Sequence, residues 1–431
     1  MRIAIWGINY YPEQVGIGPH TTALSQFLAN RGHEVRVHTS FAYYPAWAKG
    51  RLDAKRLFCQ EKQREVHLIR TWHYVPKRPT PLRRVCHELS FAAFSFFPLL
   101  FGPRPEVLVV ISPPLVLGFL AALWRMVCRV PLVVQIQDLQ PDAAIALGML
   151  QNPVLQAPSR FAERMTYRVA DRVAAISRGM VDAIAKKGIS ADKLVFLPNG
   201  FDSLPLPARG QFRRHQGIPA GAFLIVYSGT LGAKQGLEKV LAAARFLSQQ
   251  SVRLVICGDG PARQDVWREA GRNPVIHAMG LLPEAEYWEM LVDCDLCIIP
   301  QRTKVSTVFF PSKMLSAVAV ECPVLVLADR ECELARFVEQ HDLGKVADED
   351  HGQALAAQIL ALREDGPARD RFRRSAAQLK AQLGREKIFP GFEQELQRLS
   401  ARPLRKNDNK ADSESAARFK NSHGSKEHFI W

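Results

Sequence analysis

Three short stretches of this chain hold residue types whose spacing could do chemistry. The first is LIVYSGTLGAKQG, Leu224 to Gly236. An apolar, β-rich run gives way to Ser228, Gly229, Thr230 and Gly232, with Lys234 and Gln235 beside them. Leu237, Val240, Leu241, Ala244 and Leu247 then recur at helical spacing. Strand, glycine turn and helix start follow in order. A helix N-terminus offers unpaired N–H groups and partial positive charge, and glycine lets an anion approach them. The stretch fits a phosphate cradle, to which Lys234 would add a full charge. A plain βα turn of any α/β domain has the same pattern. The second stretch is FFPSKMLSAVAV, with Lys313 near a helix start. The third is QIQDLQPDAAIA. It sets Asp138 and Asp142 just past a strand end, where open α/β sheets bind ligands, although Asp142 also suits a helix cap.

These residues need an α/β scaffold, and the flanking sequence supplies one. Arg2 to Ile8 reads as a buried strand. A loop with Gly16 and Gly18 follows, then a helix with Ala23, Leu24, Phe27 and Leu28 on one face, and GHEVRVHTS as the next strand. The rhythm continues through VLVVIS, PLVVQIQ, RVAAIS and KLVFLPNGFD. SLPLPARGQ is proline-rich and reads as a linker. Beyond it RLVICGDGP, VIHAMGLLP, LCIIP and PVLVLA repeat the pattern, and residues 353–399 read as helices. Residues 40–80 are irregular. The expected division is a first domain over 1–203, a second over 204–375 and a polar, disordered tail over 400–431.

The totals narrow the class. A length of 431 residues suits two or three domains, and 47% hydrophobic residues allow large cores. A net charge of +15 favours anionic partners: phosphorylated substrates, an anionic membrane surface or nucleic acid. No nucleic-acid recognition motif accompanies it. The eight cysteines form no disulfide framework. Cys294 and Cys297 lie in an apolar run with no second ligand pair, and read as buried core thiols rather than a metal site. With no secretory signal, the chain is expected in the cytoplasm. Leu89 to Phe101 is apolar, follows Arg83 and Arg84, and is shorter than the roughly 20 residues of a spanning helix. It suits a core helix or one lying in a membrane plane. The longer run after Val107 is split by Pro113 and Pro114.

Taken in order, YYPEQVGIG with GHEV, ISRGM, LPNGFD, SGTLGAKQGLE, CGDGP and PSK resemble a family-4 glycosyltransferase of the GT-B type, over residues 1 to about 395. GINYYPEQVGIG, YYPAW, YVPKRP and SFFPLL are similar to the colanic-acid subgroup, which acts in bacterial exopolysaccharide assembly. The resemblance implies two Rossmann-like domains facing across a cleft, with residues 376–399 returning as a helix to the first domain. It implies retaining transfer from a nucleotide sugar to a lipid-linked saccharide, with no metal or other cofactor, at the inner face of the cytoplasmic membrane. The donor residues it implies are Gly16, Gly18, Gly229, Thr230, Gly232, Lys234, Gln235, Gly280, Ser312, Lys313 and Ser316. Asp138 and Asp142 are the catalytic candidates. Ser316 and Val308 stand where many members carry glutamates, and Thr230 where many carry arginine. Two other readings share the architecture: a nucleotide-sugar 2-epimerase, and an inactive scaffold of a polysaccharide-synthesis complex.

Overall fold

The computed structural model describes residues 1–401 apart from 147, 149, 151, 203, 204, 233, 234, 248–250, 302–311 and 348–350. Two sheets, each wrapped by helices, make two α/β domains. In the first domain the strands are β1 (Arg2–Trp6), β2 (Glu34–Ser40), β3 (Phe58–Gln63), β4 (Val66–Thr71), β5 (Val107–Ser112), β6 (Leu132–Ile136), β7 (Arg172–Ala175) and β8 (Leu194–Phe196). Its helices are α1 (Gly18–Asn30), α2 (Pro81–Phe101), α3 (Leu115–Cys128), α4 (Gln140–Ala146), α5 (Pro153–Val169) and α6 (Arg178–Lys186). The second domain holds β9 (Phe223–Ser228), β10 (Val252–Cys257), β11 (Ile276–Met279), β12 (Leu296–Pro300), β13 (Val324–Leu327) and β14 (Gly344–Ala347). Around them lie α7 (Gln211–His215), α8 (Leu237–Ala244), α9 (Arg263–Ala270), α10 (Glu284–Asp293), α11 (Ser312–Ala319), α12 (Glu333–Gln340), α13 (Gly352–Glu364) and α14 (Gly366–Leu383). A last helix, α15 (Arg385–Ser400), follows.

The central strands β1, β5, β6, β9 and β12 are buried on both faces, which is why they read as continuous apolar runs. The first sheet runs β3-β4-β2-β1-β5-β6-β7-β8 and the second β11-β10-β9-β12-β13-β14. Their pairs are parallel except β3 with β4. The strand order reverses at β1/β5 in the first sheet and at β9/β12 in the second. Ligands bind beyond such switch points. The loops leaving β1 and β9 are the two glycine-bearing loops read from sequence.

The irregular stretch 40–80 contains the antiparallel hairpin β3–β4. Its outer strand, FCQEKQ, is mostly exposed, so it lacks the apolar run that marks a central strand. The return to the first domain begins at Gly384 rather than at residue 376. Phe372, Ala376 and Leu379 of α14 still pack in the second domain, while Phe389, Phe392, Leu396 and Leu399 of α15 join Ile3, Ile5 and Val35 in the first. Burying four such side chains is worth roughly 1.5–3 kcal/mol each. The tail expected over 400–431 starts later, since Ser400 still belongs to α15; residues 402–431 lie outside the described residues.

Candidate active site

The geometry around the glycine turn of the second domain starts from the backbone. β9 ends at Ser228 and Gly229 follows with φ +130°. The loop after β10 lies directly against it. A Cβ on Gly258 would sit 1.9 Å from the Gly229 carbonyl oxygen, so only glycine allows this approach. Gly229 N donates to Cys257 O at 2.9 Å and Leu231 N to Asp259 O at 2.9 Å, locking the turns SGTLG and CGDGP together. Tyr227 is buried, and its phenol donates to Thr230 O at 2.7 Å, tying the exposed Thr230 back to the strand. α8 then starts after Gly236, in the strand–turn–helix order expected from the sequence.

Lys313 enters from the first turn of α11, the helix that follows β12. Its ammonium lies over the Tyr227 ring, 4.0 Å from the centroid, and 3.2 Å from where a Cβ on Gly229 would be. The ring and the missing side chain of Gly229 together hold a cation at the β9/β12 switch point. Ser312 is exposed at the start of the same helix, with Ser316 one turn on and half-buried. The Tyr287 phenol of α10 bonds Ser316 and lies 3.5 Å from Ser228 Oγ, and burial pushes its pKa up, so it stays protonated. Gln235 and Gly232 close the turn through Gln235 N to Gly232 O at 3.1 Å. Gly280 accepts from the Cys257 thiol at 3.2 Å, behind the turn. Lys234 and Val308 lie outside the described residues.

On the first domain, Gly16 has φ +74° and lies against the Tyr44 ring; Gly18 opens α1. Glu13 organises this loop from inside. Its carboxylate accepts from Tyr43 N at 3.0 Å, Tyr44 N at 2.9 Å and Asn9 Nδ2 at 2.7 Å, while burial raises its pKa. His20, in the first turn of α1, accepts from Arg385 of α15 at 3.1 Å. Burial and that guanidinium hold it neutral, with a pKa of about 3. Arg385 also pairs with Asp202 at 2.5 Å.

Asp138 is half-buried just beyond β6, as expected. The preceding Gln137 and Asn199 exchange two amide hydrogen bonds, at 3.0 and 2.8 Å, which pin the Asp138 loop to the NGFD turn. Asp142 is placed differently. Its carboxylate pairs with Lys187 at 2.6 Å, and Lys187 also binds the buried Glu163 at 2.7 Å. This cluster ties α4 to α5 and to the end of α6. Asp142 is thus held in an ion pair with Lys187, whereas Asp138 lies beside the pinned NGFD turn. Cys294 and Cys297 are buried in the second domain's core, Sγ to Sγ 3.7 Å, beside Cys322.

Comparison with known proteins decides the family. Residues 15–200 match the Glycosyl transferase 4-like domain, and residues 208–379 match Glycosyl transferases group 1. The chain is 32% identical over 361 residues to the colanic acid biosynthesis glycosyl transferase WcaI of Escherichia coli (strain K12), covering 79% of this chain and 86% of that one. This chain is a GT-B glycosyltransferase. Two solved structures share the fold. Sucrose-phosphate synthase from Thermosynechococcus elongatus superposes with a TM-score of 0.71 at 16% identity, covering 92% of this chain and 98% of that chain. Anabaena Alr3699/HepE in complex with UDP-glucose gives 0.63 at 16% identity, covering 92% and 100%. Lys313 and the Gly229 turn lie at the β9/β12 switch point of the second domain, and Glu13, His20 and Asp138 belong to the first. Glu13, His20 and Tyr287 were not singled out from sequence. Glu13 sits within the YYPEQVGIG landmark, but Tyr43 and Tyr44, which it holds, lie far along the chain, as do the partners of His20 and Tyr287.

Proposed function

We propose that this glycosyltransferase transfers a sugar from a nucleoside-diphosphate sugar to a lipid-linked saccharide during exopolysaccharide assembly, of the colanic acid type, with retention of anomeric configuration. The observation that carries the reading is the Lys313 ammonium held over the Gly229 turn at the strand switch point. A departing nucleoside diphosphate gathers negative charge, and preorganised donors aimed at it lower the barrier. Lys313 and the N–H groups at the start of α11 are such donors. On this reading they meet the leaving-group charge without a metal. Asp138 orients the acceptor hydroxyl or the transferred sugar from the opposite side. The exopolysaccharide assignment draws on the Escherichia coli relative; HepE, which shares the fold, was solved with UDP-glucose.

A lipid-linked acceptor requires contact with a membrane surface. Among the described residues no helix is long and apolar enough to cross a membrane. α2 supports an in-plane contact through only part of the Leu89–Phe101 run. Phe91 is fully buried, Phe96 stacks on Trp6 and Phe94 packs on Trp72. Leu82, Val85, Leu89, Phe97, Leu100 and Phe101 are exposed and recur at helical spacing along one stripe. Lys77, Arg78, Arg83 and Arg84 flank its start, each worth about 1 kcal/mol near an anionic surface. The reading places the enzyme peripherally on the cytoplasmic face.

The test is incubation of the protein with radiolabelled nucleotide sugars and a bacterial lipid extract. Label moving into the organic phase supports the reading. An epimerised free donor would assign a different reaction to the same fold, and an unchanged donor across the panel would point to a scaffold.

A further inference from the structure

The two domains also meet across the cleft at a carboxylate that the transfer chemistry leaves unused. α12 begins at the C-terminal end of β13, and Glu333 is its first residue. α6 begins at the C-terminal end of β7, with Ser177 as its N-cap. Ser177 Oγ donates to Glu333 Oε2 at 2.6 Å, and Gly179 N donates to Glu333 Oε1 at 2.5 Å. Ser177 Oγ also accepts from Met180 N at 3.2 Å. One buried hydroxyl thus caps its own helix and donates to the other domain.

The fit is specific. The carboxylate sits at the positive end of α6, where an anion is stabilised by the unpaired N–H groups and the helix dipole. Both of its oxygens accept a hydrogen bond, and bonds to an ionised acceptor are the stronger kind. A Cβ on Gly179 would lie 2.4 Å from Glu333 Oε2, so the approach depends on glycine at this position. The covalent crossings lie elsewhere in the chain. Phe201 N donates to Leu383 O at 3.3 Å and Arg385 N to Phe201 O at 3.0 Å, where the two connecting segments run side by side. Such a paired crossing can flex as a hinge. Ser177, Gly179 and Glu333 form a separate, breakable tie.

We propose that Glu333 is a positioning residue: through Ser177 and Gly179 it holds the two domains closed over the cleft, so that Asp138 of the first domain faces the donor turn of the second. No atom of Glu333 needs to touch substrate. Its effect is on the relative placement of groups carried by different domains, and a small misplacement there costs rate steeply. The kinetic part of this proposal rests on the transfer reading above; the conformational part does not.

The test uses small-angle X-ray scattering on the full chain, for the unaltered protein and for Glu333→Ala, Gly179→Ala and the double variant. Both single variants should raise the radius of gyration, and the double should raise it no further than the larger single, since both break one tie. Binding of UDP, measured by calorimetry, should stay within twofold, because the donor turn lies wholly in the second domain. Turnover with an accepted donor should fall about tenfold or more with little change in donor KM. Scattering curves that superimpose on that of the unaltered protein would overturn the proposal, as would UDP binding that falls in step with turnover. Ser177→Ala adds no side-chain bulk and removes one of the two bonds; it should shift scattering the same way if the other variants fold poorly. If the unaltered protein transfers no sugar, the scattering arm still decides on the tie, and the transfer reading fails separately.

Discussion

Replacing Lys313 by methionine separates a binding role from a folding role. The methionine keeps an unbranched stem over Gly229 and Tyr227 and removes only the charge. In the folded protein the Lys313 Nζ lies 4.0 Å from the Tyr227 ring centroid. Losing that contact costs about 0.5–2 kcal/mol, and relieving a partly buried ammonium of its lost hydration returns a similar amount. The ring contact alone therefore contributes less than about 1 kcal/mol net, a melting shift within roughly 4 °C for a domain of this size. Binding should respond much more. A charge-assisted hydrogen bond to a diphosphate is worth about 1.5–3 kcal/mol, which is about 10- to 150-fold in affinity. Calorimetric titration with UDP, alongside a melting curve, reads both quantities. Lys345→Met, at an exposed position on β14, serves as the control and should bind UDP as the unaltered protein does. Equal UDP affinity in Lys313→Met and the unaltered protein would refute the donor-site assignment, whatever the stability.

Three further outcomes are expected. Asp138→Asn should lower turnover at least tenfold while leaving UDP affinity within twofold, as a group acting on the acceptor or transition state would; a normal rate in a transfer assay would remove Asp138 from the site. Leu89→Ser, Phe97→Ser and Phe101→Ser together should abolish the salt-resistant part of binding to anionic vesicles, since 1 M salt shortens the Debye length to about 3 Å and leaves only apolar insertion; sedimentation with and without salt measures it, and unchanged retention at high salt would count against the stripe. His38 is buried and its folded pKa is held down to about 4 by desolvation first and then by Arg36. The unfolded chain, with a value near 6.5, binds the proton first, so stability is lost as pH falls from about 6.5 towards 4. At pH 5 the loss is about 2 kcal/mol, and denaturant melts of His38→Asn should show a correspondingly shallower pH slope.

Much of the scaffold was legible because parallel strands buried on both faces leave continuous apolar runs. Leu224 to Ser228 is such a run, and the glycines after it marked the turn because the close approach of Gly258 to Gly229 tolerates no side chain. The burial of Cys294 and Cys297 was legible from Leu291, Val292, Leu296, Ile298 and Ile299 around them, while Cys322, which joins them, lies well along the chain. The polar machinery was not. Glu13 reaches Tyr43 and Tyr44 in a different loop, Tyr287 reaches Ser228 and Ser316 from another helix, and Glu333 reaches Ser177 and Gly179 in another domain. A carboxylate or phenol carries no periodicity that announces its partner. Asp142 shows the converse: its place after a strand suited chemistry, yet Lys187, well along the chain, claims it. In α2 the apolar composition allowed both burial and exposure. The fold uses both, with Phe91 inside and Phe97 outside.

The central claim is that a nucleoside diphosphate lies on the Gly229 turn beneath the start of α11. Diffraction from crystals grown with UDP tests it most directly. The expected result is density for the diphosphate with an oxygen about 3 Å from Lys313 Nζ and within hydrogen-bond reach of the backbone N–H groups at Gly229 or at the start of α11. Diphosphate density elsewhere, with Lys313 still resting on Tyr227 and the Gly229 turn empty, would contradict it.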